Sequence, residues 1–354
     1  MEPKDNLSSV IYGAGDMRLE NRPIPQPGEN EVLLAMQSVG ICGSDLKYWS
    51  IGRCGRFIVK SPMVIGHEAS GTVIQVGDKV KNLQIGDRVA IEPGVSCRMC
   101  KICKQGRYNL CPEMKFCATP PVDGLLCRYY VHPADFCFKL PDHMSLEEGA
   151  MMEPLAVAVY GCERGNVTLG SNVLICGAGP VGLLTLLTAK SLGAATIAIT
   201  DIDQNRLDVA MAMGATHGIL VESIDNKQMA AKIVDIIGCS PDVTLECSGS
   251  DVSLVIGIYA TTPGGSVILI GRGSMEPKVP MVEAAGKEID IKGVFRYANC
   301  YPKALAMVSS GQIDIKSLVT HRFTLENSED AFKTASDRSS KSMKVIINCT
   351  SSKE

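Results

Sequence analysis

Apolar and polar positions follow two different rhythms along this chain. From about Leu7 to Glu153 the apolar runs are short and broken, as in EVLLAMQSV, GTVIQVG and DRVAIEPG, with Gly and Pro recurring between them. Alternation with a period near two, punctuated by turn formers, predicts the strands and turns of a β-rich lobe. After about Pro154 the runs NVLIC, ATIAIT, DVTLEC and GSVILIG are unbroken and β-branched, and the first ones alternate with apolar-periodic stretches such as GPVGLLTLLTAKSLG and NRLDVAMAMG. Strands apolar on both faces need cover on both faces, so this half predicts a parallel sheet between helices. From about Phe295 the pattern is mixed again and ends in SMKVIINC. The expected organisation is an α/β protein with a β-rich lobe over 1–153, a doubly wound parallel-sheet lobe over 154–294, and a C-terminal segment over 295–354 returning to the first lobe.

Composition narrows the classes of function. At 354 residues the chain is too long for one small core and suits two domains. Its 45% hydrophobic and 21% charged residues, with a net charge of -3, describe a globular protein with no excess of Lys and Arg to neutralise phosphates, so no nucleic-acid partner is expected. The start MEPKDNLSSV lacks a signal-peptide core, and no apolar run reaches the roughly 20 residues of a membrane helix. A cytoplasmic location is expected, with no membrane partner. Thiols are kept reduced there, so 15 cysteines do not suggest a disulfide framework, and a tight cluster points to metal.

That cluster is SCRMCKICKQGRYNLC, in which Cys97, Cys100, Cys103 and Cys111 read C-x2-C-x2-C-x7-C. Short turns can bring four sulfurs around a tetrahedral zinc ion at about 2.3 Å each. An iron-sulfur cluster is the rival, because Cys111 is followed by Pro112, but the ferredoxin run has a last gap of about three residues. A zinc-ribbon interaction module is a second rival, with Arg98, Lys101, Lys104 and Arg107 as its only basic face. Four thiolates leave no open coordination position, so such a site stabilises a lobe and the chemistry lies elsewhere.

In the second lobe, NVLICGAGPVGLL reads as a strand, a glycine turn and a helix start. Gly177 permits the turn, Gly179 lets backbone approach a pyrophosphate, and Gly182 lets the helix pack on the strand. Asp201 follows 24 residues beyond Gly177, after the next strand, near the spacing of the acid that holds the ribose hydroxyls of NAD. A carboxylate there repels the 2'-phosphate of NADP, so NAD is expected; Arg206 is read as a stacking or ribose contact. Hydride transfer then calls for a group that activates a substrate oxygen. VGICGSD offers Cys42, IGHEASG offers His67 and Glu68, and MMEPLAV offers Glu153, a mixed S/N/O set of the kind a catalytic zinc uses while keeping one position open.

GICGSD, GHEASG, GDRVAIEPG, GRYNLC, FCATPP, EEGAMMEPL, GAGPVG, VTLECSG and DIKGVFRY stand in order along almost the whole chain. On these motifs the sequence resembles the zinc-containing medium-chain dehydrogenase/reductase family, and within it the branch of polyol dehydrogenases and ketose reductases. The resemblance implies a GroES-like β-rich catalytic domain closed by the C-terminal segment, and a Rossmann domain. It also implies NAD-linked oxidation of polyols such as sorbitol to ketoses such as fructose, with xylitol oxidation or an NADP-linked ketose reductase as alternatives within the branch. It implies a catalytic zinc on Cys42, His67 and Glu68, with Glu153 beside it through water or as a variable ligand, and a structural zinc on the four thiols. Tyr48, Glu153, Arg296 and Tyr297 correspond to polyol contacts, and Phe116 and Thr119 to the pocket lining. Val181, Asp201, Arg206, Ile270, Gly271, Arg272, Val294, Phe295 and Arg296 correspond to NAD contacts. From these positions, Ser44 and Glu153 are expected to carry the substrate proton outward. The branch is commonly homotetrameric, and SVILIG with GSMEPKVPM is the stretch expected to pair between subunits. Family members retired to a structural role commonly lose the metal ligands, and Cys42, His67 and Glu68 are all present here.

Overall fold

In the first unit of the computed structural model, which describes residues 5–350, the strand Glu31–Gly40 is the spine. It is buried on both faces for most of its length. It pairs antiparallel with Glu68–Val76, with Tyr129–Pro133 and with the C-terminal strand Lys344–Asn348. Arg88–Ile91 and Cys137–Lys139 extend the sheet on the Glu68–Val76 side, and Val319–Thr324 lies parallel to Lys344–Asn348 at the other edge. Side chains from both chain ends share one core, in which Val10, Leu34, Val39, Val73 and Ile91 pack with Phe332, Val345 and Ile347. Burial of that apolar surface is what recruits the tail.

Among the described residues the unit comprises 5–153 and 314–350, and a second unit runs from Pro154 to Ile313. The segment Phe295–Ile313 therefore belongs with the second unit, and the return begins at Asp314 rather than at Phe295. Its helix Tyr301–Ser309 buries Tyr301, Ala304 and Val308 there, and Lys303 pairs with Glu163. The mixed pattern of this stretch is that of an amphipathic helix on the second unit's surface.

The second unit is a six-stranded parallel sheet in the order His217–Leu220, Thr196–Asp201, Asn172–Cys176, Val243–Glu246, Ser266–Leu269, Asp290–Gly293. The order runs outward in both directions from Asn172–Cys176 and Val243–Glu246, which is the doubly wound arrangement with its switch point between those two strands. Leu174, Cys176, Ala198 and Ile219 pack against Met229, Ile233 and Ile256 of the covering helices. Among the described residues no helix is long and apolar enough to cross a membrane.

Candidate metal and cofactor sites

Cys42 caps the N-terminus of the helix Gly43–Ile51 with extended backbone. His67 and Glu68 are delivered by the turn at Gly66, whose φ is +92° and where a Cβ would meet Val39 at 2.9 Å and Leu126 at 3.2 Å. A side chain has neither the conformation nor the space there. The Cys42 sulfur, a His67 ring nitrogen and a Glu68 carboxylate oxygen lie within 4.8 Å of one another.

Asp45, fully buried, braces two of these three side chains. Its Oδ2 accepts from the Cys42 backbone N–H at 3.1 Å, and its Oδ1 lies 3.2 Å from His67 Nδ1 as an ion-pair contact. With Nδ1 turned to a carboxylate, Nε2 is the nitrogen left for a metal. Glu68 is anchored differently. A Cβ on Gly40 would stand 2.3 Å from Glu68 Oε2, so the bare backbone lets this carboxylate reach across its partner strand. On the far side Lys344 Nζ donates to Glu68 Oε2 at 2.6 Å and to the Ile41 carbonyl at 3.1 Å. Burial opposes the Lys344 charge, but Glu68 first and Cys42 next outweigh it and hold the ammonium above its ordinary pKa. At His67 burial again opposes charge, and Asp45 followed by Cys42 outweighs it, raising the imidazole well above its ordinary value. The surroundings favour positive charge at this point, and the donor set of one sulfur, one nitrogen and one oxygen fits a divalent zinc ion.

Glu153, buried in the first turn of Met152–Gly165, stands outside that group of three, though its charge helps to raise Lys344. Ser44 and Tyr48 lie on the helix that Cys42 caps, Tyr48 buried. The Phe116 ring is 5.7 Å from that of His67, and the Thr119 N–H donates to the Phe116 carbonyl at 3.0 Å. Arg296 and Tyr297 belong to the second unit, where the Arg296 guanidinium lies 4.7 Å from the Phe295 ring centroid and the Tyr297 ring packs 5.6 Å from Tyr301. Asp45, Gly40 and Lys344 were not among the residues expected from sequence. Asp45 carried a signal, as an acid three residues after the cap, whereas Lys344 lies 276 residues from its partner and carried none.

The four thiols of the first unit also converge. Cys97 and Cys103 sulfurs are 4.0 Å apart and those of Cys100 and Cys103 are 3.5 Å apart. Sulfurs held tetrahedrally at about 2.3 Å from one ion stand about 3.8 Å from each other, so the spacing fits zinc. Backbone N–H groups point at them: Cys100 donates to Cys97 Sγ, Cys103 to Cys100 Sγ and Cys97 to Cys111 Sγ, each at 3.4 Å. Such bonds from Cys100 and Met99 pull the Cys97 thiol down to about 7, toward the thiolate that a metal needs.

In the second unit the three glycines of GAGPVG have three separate reasons. Gly177 has φ +100° and would meet Ser248 at 2.9 Å; Gly182 would stand 1.8 Å from the Gly177 carbonyl; Gly179 has nothing within 4 Å of a Cβ position. Gly179 caps the helix Pro180–Ser191, whose first turn carries Val181, and so opens its N-terminal N–H groups to an anion. Asp201 ends its strand, with Oδ2 accepting from Ala178 N–H at 2.7 Å and Oδ1 from Asp203 N–H at 3.0 Å. Arg206 lies on the next helix, Gln204–Ala212. Ile270 and Gly271 follow the strand Ser266–Leu269 directly, Arg272 lies 5.4 Å from the Phe295 ring centroid, and Val294 donates to the Leu269 carbonyl at 3.0 Å. All these positions cluster at the carboxyl ends of the parallel strands, the edge at which such sheets take a dinucleotide.

Comparison with known proteins shows the family of the chain. Residues 28–142 match the family described as alcohol dehydrogenase GroES-like domain, and residues 180–310 the family described as zinc-binding dehydrogenase. The chain is 53% identical over 345 residues to a sorbitol dehydrogenase of Bos taurus, covering 98% of this chain and 96% of that one. Its fold superposes on L-idonate 5-dehydrogenase from Escherichia coli with a TM-score of 0.90 and 30% identity, over 98% of each chain. It also superposes on an Escherichia coli alcohol dehydrogenase complexed with NADH, with a TM-score of 0.89 and 28% identity, over 97% of this chain and 99% of the other.

Proposed function

Since this chain belongs to the zinc-containing medium-chain dehydrogenase/reductase family, we propose that it acts as a sorbitol dehydrogenase, a zinc-dependent enzyme that reversibly oxidises polyols at C2 to ketoses with NAD. The observation that carries the reading is the convergence of Cys42, His67 and Glu68, in a chain whose Asp201 suits NAD rather than NADP. Zinc held by these ligands would supply a Lewis acid for the reacting oxygen, and NAD seated at the glycine turn would supply the hydride acceptor.

The chain's own residues do the rest. Asp45 holds His67 in the tautomer that leaves Nε2 available, and Lys344 fixes Glu68 and balances its charge. In this reading Ser44 and Glu153 take the substrate hydroxyl proton and pass it to solvent. Phe116 and Thr119 line the apolar side of the pocket, and Tyr48, Arg296 and Tyr297 hold the polyol's hydroxyls. Val181, Asp201, Arg206, Ile270, Gly271, Arg272, Val294 and Phe295 seat the dinucleotide. Cys97, Cys100, Cys103 and Cys111 hold a second, structural zinc. The cytoplasm is the compartment in this reading, supported by fifteen cysteines that are all free thiols. The assembly is a homotetramer in this reading, supported by the exposed apolar side chains Met275, Met281 and Val282 in the stretch between the strands Ser266–Leu269 and Asp290–Gly293.

A steady-state panel of sorbitol, xylitol, ribitol, ethanol and threonine with NAD and NADP, run beside metal analysis, tests the reading. Sorbitol with NAD as the preferred pair and two zinc ions per chain are expected. Cys42→Ser should abolish turnover while NADH still binds. Most of the activity surviving in that variant would overturn the ligand assignment, and NADH binding with no polyol turned over would make the chain a retired enzyme.

A further inference from the structure

Glu246 is almost fully buried at the carboxyl end of Val243–Glu246. It stands opposite Cys176 in the register of the two strands that flank the switch point. Among the described residues no lysine or arginine pairs with its carboxylate. Instead that group accepts from the Ser248 backbone N–H at 2.9 Å and from the Gly249 N–H at 3.0 and 3.1 Å, and from the Ser248 hydroxyl. Its own backbone carbonyl accepts from Ile270 N–H at 2.9 Å and Gly271 N–H at 2.7 Å. The loops are stacked so tightly that a Cβ on Gly271 would stand 2.7 Å from Glu246 Oε2 and 2.2 Å from Gly249 N. One on Gly177 would meet Ser248 at 2.9 Å. Glu246 thus holds the loop after its strand by its side chain and the turn at Ile270 by its backbone carbonyl, while the glycine turn only packs against Ser248.

A doubly wound sheet consists of two mononucleotide-binding halves. Gly177, Gly179 and Asp201 occupy the half that takes pyrophosphate and adenosine, so the loops around Glu246 face the other half of the ligand. We propose that Glu246 is a positioning residue of the cofactor site, its carboxylate setting the shape of Cys247–Ser250 that receives the nicotinamide half. The proposal rests on the NAD reading above. A glutamine at this position would turn an amide NH2 toward one of the same donors, so the loop would lose its shape while the first half of the sheet keeps its own.

The test compares two ligands. NADH affinity is read by fluorescence titration and AMP affinity by calorimetry, for the wild-type protein, Glu246→Gln and Ser248→Ala. Glu246→Gln should weaken NADH by on the order of tenfold to a hundredfold, as loss of hydrogen bonds to a charged group does. AMP should stay within about twofold, because it occupies the first half alone. Ser248→Ala, which removes one donor, should weaken NADH alone and by less; it carries the test if the glutamine variant does not fold. NADH affinity unchanged in a folded variant overturns the proposal, as does a parallel loss of NADH and AMP, the mark of general loosening. A wild-type protein that binds neither ligand would remove the NAD reading itself.

Discussion

Replacing Lys344 with methionine removes one member of an ion pair whose side chains are 3% and 2% exposed and whose atoms are 2.6 Å apart. What remains is the Glu68 carboxylate, buried beside Cys42 without the ammonium that paired with it, and an Ile41 carbonyl without the Lys344 donor. Breaking a buried pair from one side costs about 3 to 5 kcal/mol, because the stranded charge keeps its desolvation penalty. For a unit of this size each kcal/mol moves the midpoint by about 2 to 4 °C. The zinc-free variant should therefore melt roughly 6 to 20 °C below zinc-free wild type. The single tryptophan, Trp49, packs against Phe332 in the core of the first unit, so intrinsic fluorescence follows this unit without the other.

The direction of the metal effect separates this account from ordinary loss of packing. A divalent cation next to Glu68 replaces the missing positive charge, so added zinc should raise the midpoint more in Lys344→Met than in wild type, by linkage. A variant that merely packs badly would gain no more from zinc than wild type does. Gly40→Ala should lower the zinc-free midpoint as Lys344→Met does, since its methyl would stand 2.3 Å from Glu68 Oε2 and displace the carboxylate, but it should gain less from zinc because the displaced carboxylate is a ligand. A zinc-free Lys344→Met protein melting within about 2 °C of wild type, or equal zinc shifts in both, would refute the reasoning.

Asp45→Asn should lower zinc affinity at the Cys42 site by about 10 to 100-fold, as loss of a ligand-orienting carboxylate does, while the four-thiol zinc stays bound; competition with a chromophoric chelator resolves the two. Glu92 gives a pH signature. Burial pushes its carboxyl up to about 7 although Tyr108 donates to it, so folding favours the protonated form and wild type loses stability as pH rises from about 4.5 to about 7. Glu92→Gln stays neutral throughout, so it should match wild type near pH 4 and gain up to about 3 kcal/mol over it above pH 7. Urea titrations across that range check the sign, and a gap that closes as pH rises would contradict it.

The features legible in the sequence are those whose physics is local. Gly177, Gly179 and Gly182 each answer a constraint within a few residues of themselves, and the structure assigns them three different steric reasons. The cysteine cluster is local too, since its two-residue gaps let the Cys100 and Cys103 N–H groups reach the sulfurs of Cys97 and Cys100. The parallel sheet was visible because strands covered on both faces must be apolar throughout. The resemblance joined Cys42 to His67 and Glu68 across a strand pairing that spacing could not disclose. Charge balance was hidden. Lys344 sits in the unremarkable run SMKVIINC, and nothing near it in sequence says that its ammonium faces a carboxylate. Glu246 stands inside the motif VTLECSG, yet the contacts of its carboxylate and carbonyl depend on two loops meeting over it. The end of the second unit at Ile313 is not legible, because Tyr301–Ser309, with apolar residues on one stripe only, reads like a change of texture.

The C-terminal strand therefore does more than close a sheet. Lys344 lies two residues from Ile346, which is opposite Gly40, and Gly40 is opposite Glu68 on its other flank. Side chains alternate between faces along a strand, so a slip of one residue in Lys344–Asn348 would turn the ammonium to the opposite face and bring Val345 or Ile347 opposite Gly40 instead. The buried apolar residues Val345 and Ile347 oppose such a slip, because it would reverse their faces as well. Packing of the tail and the electrostatics of the Cys42, His67 and Glu68 group are thus fixed by one register. Mutations that loosen the tail's hydrophobic contacts should lower metal affinity at that group before they unfold the unit.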